Sequence, residues 1–462
     1  MLLDQGRGLM TLWKSLGSDP KRIHGVRISH SGHYLPSVYD VSGMATSTIA
    51  AAHLAVGELL ALRRGDARLP EIEIDGLEAS AAFRTEALMR PVSWEIPPPW
   101  DPIAGDYCAQ DGWIRIHTNY ENHRDAALSA LGLSSADRAQ VTQAVSRWNA
   151  AELEKTIMAQ GGCAARMLTE DEWSKDQEGS TTLSEPIVAL SLRHTTRAIA
   201  PPWKQNEAPL SGVRVLDLTR VIAGPECTRF LAAWGANVLR IDPPGFQEVP
   251  ALLPDVTAGK HCASLSLHEQ QDLQKFEELV RLAHVLVIGY RPDALDRFNL
   301  TPDHLYSLNP NLVLAQLNAY GWSGPLKNQR GFDSLMQMKT GIAARGMKEL
   351  ATSKPHPLPA QALDHGAGYA LAAGICRALH GLWTCGENQL VRASLVGASN
   401  FLRSEYRAGD PNGTMADFSS TLIPTQTEWG TLHRVRNPGR IQGLQGAWNV
   451  PAGRLGRHPA SF

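Results

Sequence analysis

An aspartate at the start of an alanine-rich helix is the strongest candidate for a reactive group in this chain. Asp364 lies in the segment PAQALDHGAGYALAAGI, where we expect Gly366 and Gly368 to leave room for a substrate. A carboxylate in that position can act as a nucleophile or as a general base. Aspartate is also a common N-cap residue, whose side chain accepts a backbone hydrogen bond. The residues alone leave both interpretations of Asp364 open.

A strand, a loop and a helix near residue 220 form a second candidate site. The strand GVRVLDL is followed by the loop TRVIAGP, a helix, and a second strand that ends at Asp242, where dinucleotide-binding folds carry a ribose-binding acid. The loop lacks the GxGxxG pattern, and Pro225 removes an amide donor. NAD binding is therefore disfavoured. A purely structural unit and a site for a nucleotide-like ligand, such as the ADP part of coenzyme A, both remain open.

Other familiar catalytic patterns are missing from the sequence. There is no GxSxG nucleophile motif, and HEQQD at 268–272 lacks the second histidine of a zinc protease. The six cysteines form no CxxC pair, and the 16 histidines show no metal-ligand spacing. We therefore predict neither a metal site nor a disulfide framework.

The elements that must position these residues follow an α/β pattern. Strands alternate with helices over 212–320, which predicts a doubly wound, Rossmann-like parallel sheet. The earlier part of the chain predicts a smaller α+β domain, with a hairpin that turns at Asp111-Gly112 and helices over 121–132, 135–148 and 150–160. Residues 1–35 look irregular, and 194–210 is the best candidate for a linker.

Composition excludes several classes of partner. The chain has 462 residues with 44 Lys plus Arg and 46 Asp plus Glu, so its formal charge of −2 gives no electrostatic case for nucleic acid or an anionic membrane. The N-terminus lacks an apolar stretch of signal-peptide length. The apolar stretch Ser47–Leu62 is too short to span a bilayer. We expect a soluble cytoplasmic protein.

Two parts of the chain resemble each other. The segment IAAAHLAVGELLAL (49–62) resembles GAGYALAAGICRAL (366–379), and ASAAFRTE (79–86) resembles ASNFLRSE (398–405). The same order and nearly the same offset favour duplication of one supersecondary unit over chance similarity of two alanine-rich helices. In this alignment Ser47 stands where the second copy has Asp364.

Six segments over residues 210–405 follow one another almost without a break. They are GVRVLDLTRVIAGPECTRFLAAWGANVLRIDPP, GKHCASLSL, AHVLVIGYRPDALDRFNL, NPNLVLAQLNAYGWSGP, RGFDSLMQMKTGI and LDHGAGYALAAGI. Together these segments resemble the class III CoA-transferases, the CaiB/BaiF family. The C-terminal LGRHPASF also resembles the usual end of that family, and the N-terminal part resembles a later portion of it, as in a fused and rearranged member.

The resemblance implies three regions. Residues 1–205 are expected to form a degenerate N-terminal copy that includes the small α+β domain and the linker. Residues 206–410 would form the Rossmann-like domain, and 411–462 a tail that packs back on the fold. Family members form interlocked dimers, so a homodimer is expected.

The resemblance also implies an activity and its residues. It indicates an acyl-CoA:carboxylate CoA-transferase with acyl-CoA and a carboxylate as substrates and no permanently bound cofactor. Asp364 would be the nucleophile and form an anhydride and then an aspartyl-CoA thioester, with Ser47 as the lost aspartate of the first copy. The positions that would bind coenzyme A are Ile222, Ala223, Tyr290, Arg291 and Arg297. For the arginines a surface salt bridge is the alternative.

Departures from the family pattern keep rival functions open. Gly289-Tyr290 replaces the usual Asn-Phe, His261 replaces an arginine, and residues 90–110 lack the glycine-rich run that covers the acyl group in formyl-CoA transferase. Racemases of the same fold use a histidine in a Gly-His-Asp block, which is Gly331-Phe332-Asp333 here, although His365 follows Asp364. A CoA-binding protein without turnover is the other alternative.

Overall fold

A seven-stranded, mostly parallel sheet forms the centre of the fold. The structure, a computed structural model, describes residues 2–134, 137–196 and 198–462. Six strands are parallel, and the last one pairs antiparallel at the edge. Across the sheet the strands are Lys260–Ser264, Asn237–Asp242, Arg214–Leu218, Val285–Ile288, Val313–Asn318, Glu387–Ser394 and Val188–Thr195. The predicted doubly wound α/β fold is confirmed.

The strands are nearly continuous apolar runs because helices cover both faces of the sheet. Val215 and Val287 belong to the apolar core on one face, and Leu216 and Leu286 to the core on the other. The principal helices of this layered part are Ala223–Ala233, Gln270–Leu282, Pro302–Leu308, Ala362–Cys385 and Leu395–Glu405. The edge strand Val188–Thr195 comes from the N-terminal half of the chain, so both halves build one sheet.

Two long helices pack directly against each other at the centre of the molecule. Val41–Arg64 and Ala362–Cys385 each have 24 residues and end at a glycine in the left-handed conformation, Gly65 and Gly386. A strand and a helix follow each of them: Ile72–Asp75 with Gly76–Ala82, and Glu387–Ser394 with Leu395–Glu405. The shared order of elements agrees with the duplication that the sequence indicates.

The first of these helices is long and apolar enough to cross a membrane by length and composition, but it lies in the protein core. The helix begins at Val41, before the apolar stretch Ser47–Leu62, and is therefore longer than the sequence indicated. Of its most apolar 18-residue window, 94% is buried inside the protein. Its composition is therefore explained by burial against neighbouring helices.

The prediction of an irregular N-terminus is wrong. Leu2–Ser15 is a helix, followed by the 3-10 helix Pro20–Gly25 and the strand Val26–Ser29. Leu9, Leu12 and Trp13 of this helix and Leu16 directly after it are buried, and their spacing matches one helical face. Gly6 and Gly8 lower the intrinsic helix propensity of the segment and obscured this pattern.

A smaller α+β unit contains the predicted hairpin. Strands Gly105–Cys108, Trp113–His117 and Cys163–Arg166 form an antiparallel sheet. The helices Glu121–Leu131, Arg138–Val145 and Ala150–Ala159 accompany it, close to where the sequence predicts them. The remaining helices of at least four residues are Thr85–Leu88, Glu170–Lys175, Gln177–Ser180, Leu253–Val256, Asp333–Lys339 and Ile342–Glu349.

The C-terminal residues pack back onto the N-terminal half. Leu422–Thr427 and Gly430–Val435 form a sheet with Arg90–Pro91, and Arg440–Ile441 pairs with Ile72–Asp75 next to Val26–Ser29. His458 lies at the end of the chain and its amide donates a hydrogen bond to the Cys262 carbonyl of 2.8 Å. The last residues therefore close over the edge of the central sheet.

Candidate active site

A cavity of about 450 Å³ opens where the strand order of the central sheet reverses. The strands Arg214–Leu218 and Val285–Ile288 are neighbours at this point, and their following helices diverge to opposite faces. Crevices at the carboxyl ends of such strands are the usual ligand sites of open α/β sheets. The lining of the cavity includes Tyr120, His123, Arg220, Val221, Ala223, Asp242, Tyr290, Arg291, Arg297, Arg330, Phe332 and Asp364.

Asp364 lines this cavity in the first turn of the Ala362–Cys385 helix. The N-cap residue is Gln361, so the interpretation of Asp364 as an N-cap is wrong. Asp333 satisfies the helix start instead: its Oδ2 accepts hydrogen bonds from the amides of Leu363 at 2.8 Å and Asp364 at 3.0 Å. The Asp364 carboxylate is therefore left without a capping role.

Burial raises the pKa of the Asp364 carboxyl well above its ordinary value. The neighbouring Asp333 and Glu86 raise it further, and His365 opposes them. Burial also raises the pKa of Asp333, to about 6, against the hydrogen bonds that it accepts. A carboxylate that is 7% exposed and poorly solvated is a better nucleophile than one in water.

His365 is held between two carboxylates below the cavity. Its Nε2 lies 3.1 Å from Glu86 Oε2, and its Nδ1 lies 3.3 Å from Glu226 Oε2. Burial alone would lower the pKa of this imidazole, but Glu86 and Glu226 outweigh it and raise the pKa to about 10. The protonated ring places a positive charge next to Asp364 in the sequence.

The network continues inward from Glu226. Arg229 lies 2.5 Å from Glu226 and also pairs with Asp255, which in turn binds Arg434. These side chains are at most 5% exposed. Buried charges are retained only when they are paired, so this chain of ion pairs supports the helix that carries Asp364 from beneath.

Four of the five positions assigned to coenzyme A by resemblance line the cavity. They are Ala223, Tyr290, Arg291 and Arg297. Ile222 packs instead into an apolar cluster with Val249 and Leu252, while Val221 beside it lines the cavity. Val221 has a φ of +65°, an unfavourable conformation for a β-branched residue. With this backbone conformation Val221 faces the cavity, and Ile222 faces the apolar cluster.

The loop that carries Val221 is anchored by buried acids. The Val221 amide donates to Glu248 at 3.1 Å, and Glu248 also lies 3.0 Å from Arg240. Arg240 pairs with Asp242 at 2.8 Å, so this acid is committed to an ion pair rather than free to bind a ribose. The strained turn persists because these contacts hold it.

The small residues after Asp364 admit neighbouring helices rather than a substrate. A Cβ atom on Gly366 would lie 2.3 Å from the Met44 side chain, and one on Gly368 would lie 2.5 Å from the Ala223 carbonyl oxygen. The expectation that these glycines leave room for a substrate is therefore wrong. They bring Asp364 close to the Ala223–Ala233 helix and hence to the cavity.

The small α+β unit supplies residues that sequence reasoning missed. Tyr120 and His123 line the cavity, and the rings of His117 and Phe332 stack with centroids 3.7 Å apart. Arg220, on the loop after the strand Arg214–Leu218, has its guanidinium carbon 3.6 Å from the Phe246 ring centroid. Tyr120 and His123 lie more than 200 positions from Asp364 in the sequence, and no local pattern links them to it.

The equivalent place in the first copy is filled. Ser47 is fully buried, and the Tyr406 hydroxyl donates a hydrogen bond to its Oγ. A Cβ atom on Gly43 would lie 2.8 Å from the Tyr406 ring, so that ring occupies the space beside the first turn of the helix. Within the described residues, no cluster of three or more His, Cys, Asp or Glu side chains fits a metal ion.

Comparison with known proteins finds similarity over the C-terminal half of the chain. Residues 210–412 match the sequence model of CoA-transferase family III. An acetyl-coenzyme A transferase of Hypoxylon pulicicidum is 28% identical over 54% of this chain and 46% of its own length. A probable fatty acyl-CoA transferase of Mycobacterium tuberculosis is 32% identical over 38% of this chain and 48% of its own. The chain thus spans about half the length of these curated relatives.

Two solved structures also resemble part of this chain. A CaiB/BaiF family protein from Brucella suis is 19% identical, with a TM-score of 0.40, over 49% of this chain and 65% of that one. A structure of the Mycobacterium tuberculosis protein is 30% identical, with a TM-score of 0.39, over 43% of this chain and 56% of that one.

Proposed function

We propose that this chain, of which residues 210–412 match CoA-transferase family III, is an acyl-CoA:carboxylate CoA-transferase with Asp364 as its nucleophile. The proposal rests on the position of Asp364. Its carboxylate lines the cavity at the strand-order reversal, is largely buried, and forms no salt bridge in the part of the chain that the structure describes. Asp242 also lines the cavity, but its carboxylate is paired with Arg240.

The proposed reaction proceeds through two covalent intermediates. An Asp364 carboxylate oxygen attacks the thioester carbonyl, the C–S bond breaks, and the CoA thiolate leaves behind a mixed anhydride. The thiolate then attacks the Asp364 carbonyl, which releases the first carboxylate and leaves an aspartyl-CoA thioester. An acceptor carboxylate repeats these steps in reverse and takes the CoA. Each step exchanges one acyl bond for another, so one difficult exchange becomes several easier ones.

Burial and fixed charges support these steps. Asp364 is buried and poorly solvated, and the protonated His365 stabilises its ionised form. The amides of Leu363 and Asp364 already bind Asp333, so they hold the helix start in place and leave oxyanion stabilisation to other groups. The nucleophile is therefore held in position before the substrate arrives.

Three arginines provide a site for the phosphates of coenzyme A. Arg220, Arg291 and Arg297 line the cavity on the loops that follow the two strands flanking the reversal point. Arg291 has one distant acid neighbour, Asp293 at 4.0 Å, and Arg297 packs over the Phe298 ring. Weakly paired guanidinium groups are well suited to bind phosphate oxygens.

The racemase alternative receives less support from this geometry. Position 332 carries a phenylalanine, and both ring nitrogens of His365 face carboxylates below the cavity. Neither residue offers the free base that proton transfer at an acyl α-carbon needs. A protein that only binds coenzyme A would exchange no isotope with any substrate pair.

Isotope exchange tests the proposal with the substrate pair acetate and acetyl-CoA, repeated with propionate and butyrate and their thioesters. A class III mechanism moves ¹⁴C from the free carboxylate into the thioester without any other acceptor. We expect exchange in the wild type with at least one pair, none with Asp364→Ala, and full exchange with Ser47→Ala, the matched change in the first copy. Exchange that survives Asp364→Ala would overturn the proposal.

A further inference from the structure

A second cavity, of about 220 Å³, lies between the small α+β unit and the helix Asp333–Lys339. The strand Trp113–His117 packs against this helix, and the stacked rings of His117 and Phe332 join the two elements. Among the described residues, its lining shares none with that of the larger cavity at Asp364. A cavity of this size suits a small molecule rather than a CoA thioester.

Ser334 brings an unsatisfied hydroxyl to the lining of this second cavity. The residue is 6% exposed, and its Oγ is buried without a hydrogen-bond partner. A hydroxyl that loses its hydrogen bonds to water and gains none inside the protein is costly, so such groups are rare. An oxygen of a ligand in the cavity would accept the hydrogen bond that the Ser334 hydroxyl can donate.

Arg115 is a second donor of the lining, and one edge of its guanidinium is open. Its Nη1 donates to Asp106 Oδ1 at 2.7 Å, and its guanidinium carbon lies 5.1 Å from the Trp100 ring centroid. Its Nε is buried and has no acceptor. Nε and Nη2 form the edge of a guanidinium that binds a carboxylate through two parallel hydrogen bonds. The bond to Asp106 therefore leaves the carboxylate-binding edge of Arg115 available.

The charge balance of the lining restricts the ligand further. Arg115 and Asp106 neutralise each other, and within the described residues no other charged side chain lines this cavity. A lone carboxylate would therefore leave a net negative charge there, and a lone ammonium group a net positive one, both of which are unfavourable away from bulk water. A zwitterion preserves the balance, because its ammonium group can donate to the second oxygen of Asp106.

The remaining lining is mainly apolar. Gln337 is fully engaged on the protein side, since its Nε2 donates to Asp333 at 2.5 Å and its Oε1 accepts from the Leu358 amide at 2.7 Å. It therefore offers little to a polar group of a ligand. The apolar members of the lining are Met338, Ala343, Pro355, Pro357 and Leu358. Such a surface favours an apolar side chain on the ligand.

We propose that this second cavity is a binding site for a free α-amino acid with an apolar side chain. The carboxylate of the amino acid binds the open edge of Arg115 and the Ser334 hydroxyl, and its ammonium group binds Asp106. Its side chain packs against the apolar part of the lining. The site is separate from the cavity at Asp364, so this inference goes beyond the proposed transferase and does not depend on that reaction.

Calorimetric titration of the full chain with L-valine and L-methionine near pH 7 tests the site. We expect at least one of them to bind saturably, with one site per chain. The counterpart without the ammonium group and the counterpart without the carboxylate should each bind at least tenfold more weakly. For valine these counterparts are isovalerate and isobutylamine, which keep the branched side chain and carry a single charge.

Substitutions in the lining assign the contacts. Arg115→Gln should weaken binding of the amino acid at least tenfold, and Ser334→Ala about threefold. Asp106→Asn should reduce the preference for the amino acid over its counterpart without the ammonium group. Arg124→Gln is the matched control, because Arg124 belongs to another arginine–aspartate pair of the same unit, 3.6 Å from Asp101 and outside this cavity. It should leave the affinity unchanged.

Two results with the wild type would overturn the proposal: no saturable binding of either amino acid, or equal binding of a counterpart with a single charge. If Arg115→Gln does not fold, as thermal unfolding would show, Ser334→Ala and Asp106→Asn decide the assignment. Unchanged affinity and unchanged preference in both of these variants would place the amino acid elsewhere. Loss of isotope exchange in any variant bears on the transferase and leaves this binding site unaffected.

Discussion

His365 keeps its charge inside the protein because Glu86 and Glu226 flank the imidazole. Glu86 lies in the N-terminal half of the chain, outside residues 210–412. The charge of His365 is one of the influences that lower the pKa of Asp364. At the residue scale, the ionisation of the proposed nucleophile therefore depends on a carboxylate from another part of the sequence.

Removal of this charge should shift the pH dependence of the reaction. In His365→Gln the pKa of Asp364 rises further, so we expect the pH–rate profile of isotope exchange to move to higher pH and the rate below its midpoint to fall. His380→Gln changes a histidine four helical turns farther along the same helix and should leave the midpoint in place. A midpoint that stays put or falls in His365→Gln would contradict this account.

The same pair of carboxylates links pH to stability. The pKa of His365 rises from about 6.5 in an unfolded chain to about 10 in the fold. The proton on His365 therefore stabilises the fold fully below about pH 6.5, and this contribution is lost as pH rises towards 10. Urea unfolding from pH 6 to 10 should show a steeper loss for the wild type than for Glu86→Gln; parallel curves would argue against the ion pair.

At the scale of the element, close packing of two helices places Asp364 at the cavity. Gly368 allows the backbone of the Ala362–Cys385 helix to approach the Ala223 carbonyl. Gly381 lies in the same helix, but a Cβ atom there would meet nothing closer than 3.9 Å. Alanine substitutions at these two positions therefore distinguish the packing effect of an added methyl group from its effect on helix propensity.

We expect opposite signs for the two substitutions. Gly368→Ala should destabilise the protein by about 1–3 kcal/mol through overpacking and slow isotope exchange, because the helix that carries Asp364 must shift. Gly381→Ala should stabilise it by roughly 0.5–1 kcal/mol and leave exchange unaffected. Urea denaturation measures both, and a neutral Gly368→Ala would contradict the packing described for this helix.

At the scale of the whole molecule, the N-terminal half completes the fold of the C-terminal half. The Val41–Arg64 helix packs along the Ala362–Cys385 helix, and Arg377 pairs with the buried Glu58 across this contact. The first copy thus serves as a structural partner for the second, with Tyr406 filling the place that faces Ser47. Homodimer formation stays a prediction.

This dependence predicts the behaviour of a split chain. Residues 1–205 and 206–462, expressed together as separate chains, should co-purify and support isotope exchange, because their interface includes a central helix pair and an edge strand of the sheet. Expressed alone, 206–462 should aggregate, since it exposes the apolar face that the Val41–Arg64 helix covers. A monodisperse, cooperatively unfolding 206–462 fragment would contradict this view.

The fold was predictable from the sequence where burial leaves a periodic pattern. Strands such as Val285–Ile288 are short apolar runs, and Asp364 stands out at the edge of an alanine-rich helix. The helix Leu2–Ser15 was missed because two glycines interrupt it, although its apolar spacing is regular. Val221 rather than Ile222 lines the cavity because of one backbone angle. His123 lines the cavity because of tertiary packing. Neither leaves a local sequence pattern.

The most direct test of the central claim is to locate the covalent intermediate. We would incubate the full chain with a thioester that supports exchange, quench with borohydride to reduce an aspartyl-CoA thioester to an alcohol, and sequence the peptides by tandem mass spectrometry. We expect homoserine at position 364, at a yield that depends on the thioester. Aspartate unchanged at 364 in an enzyme that exchanges label, or modification at another residue, would contradict it.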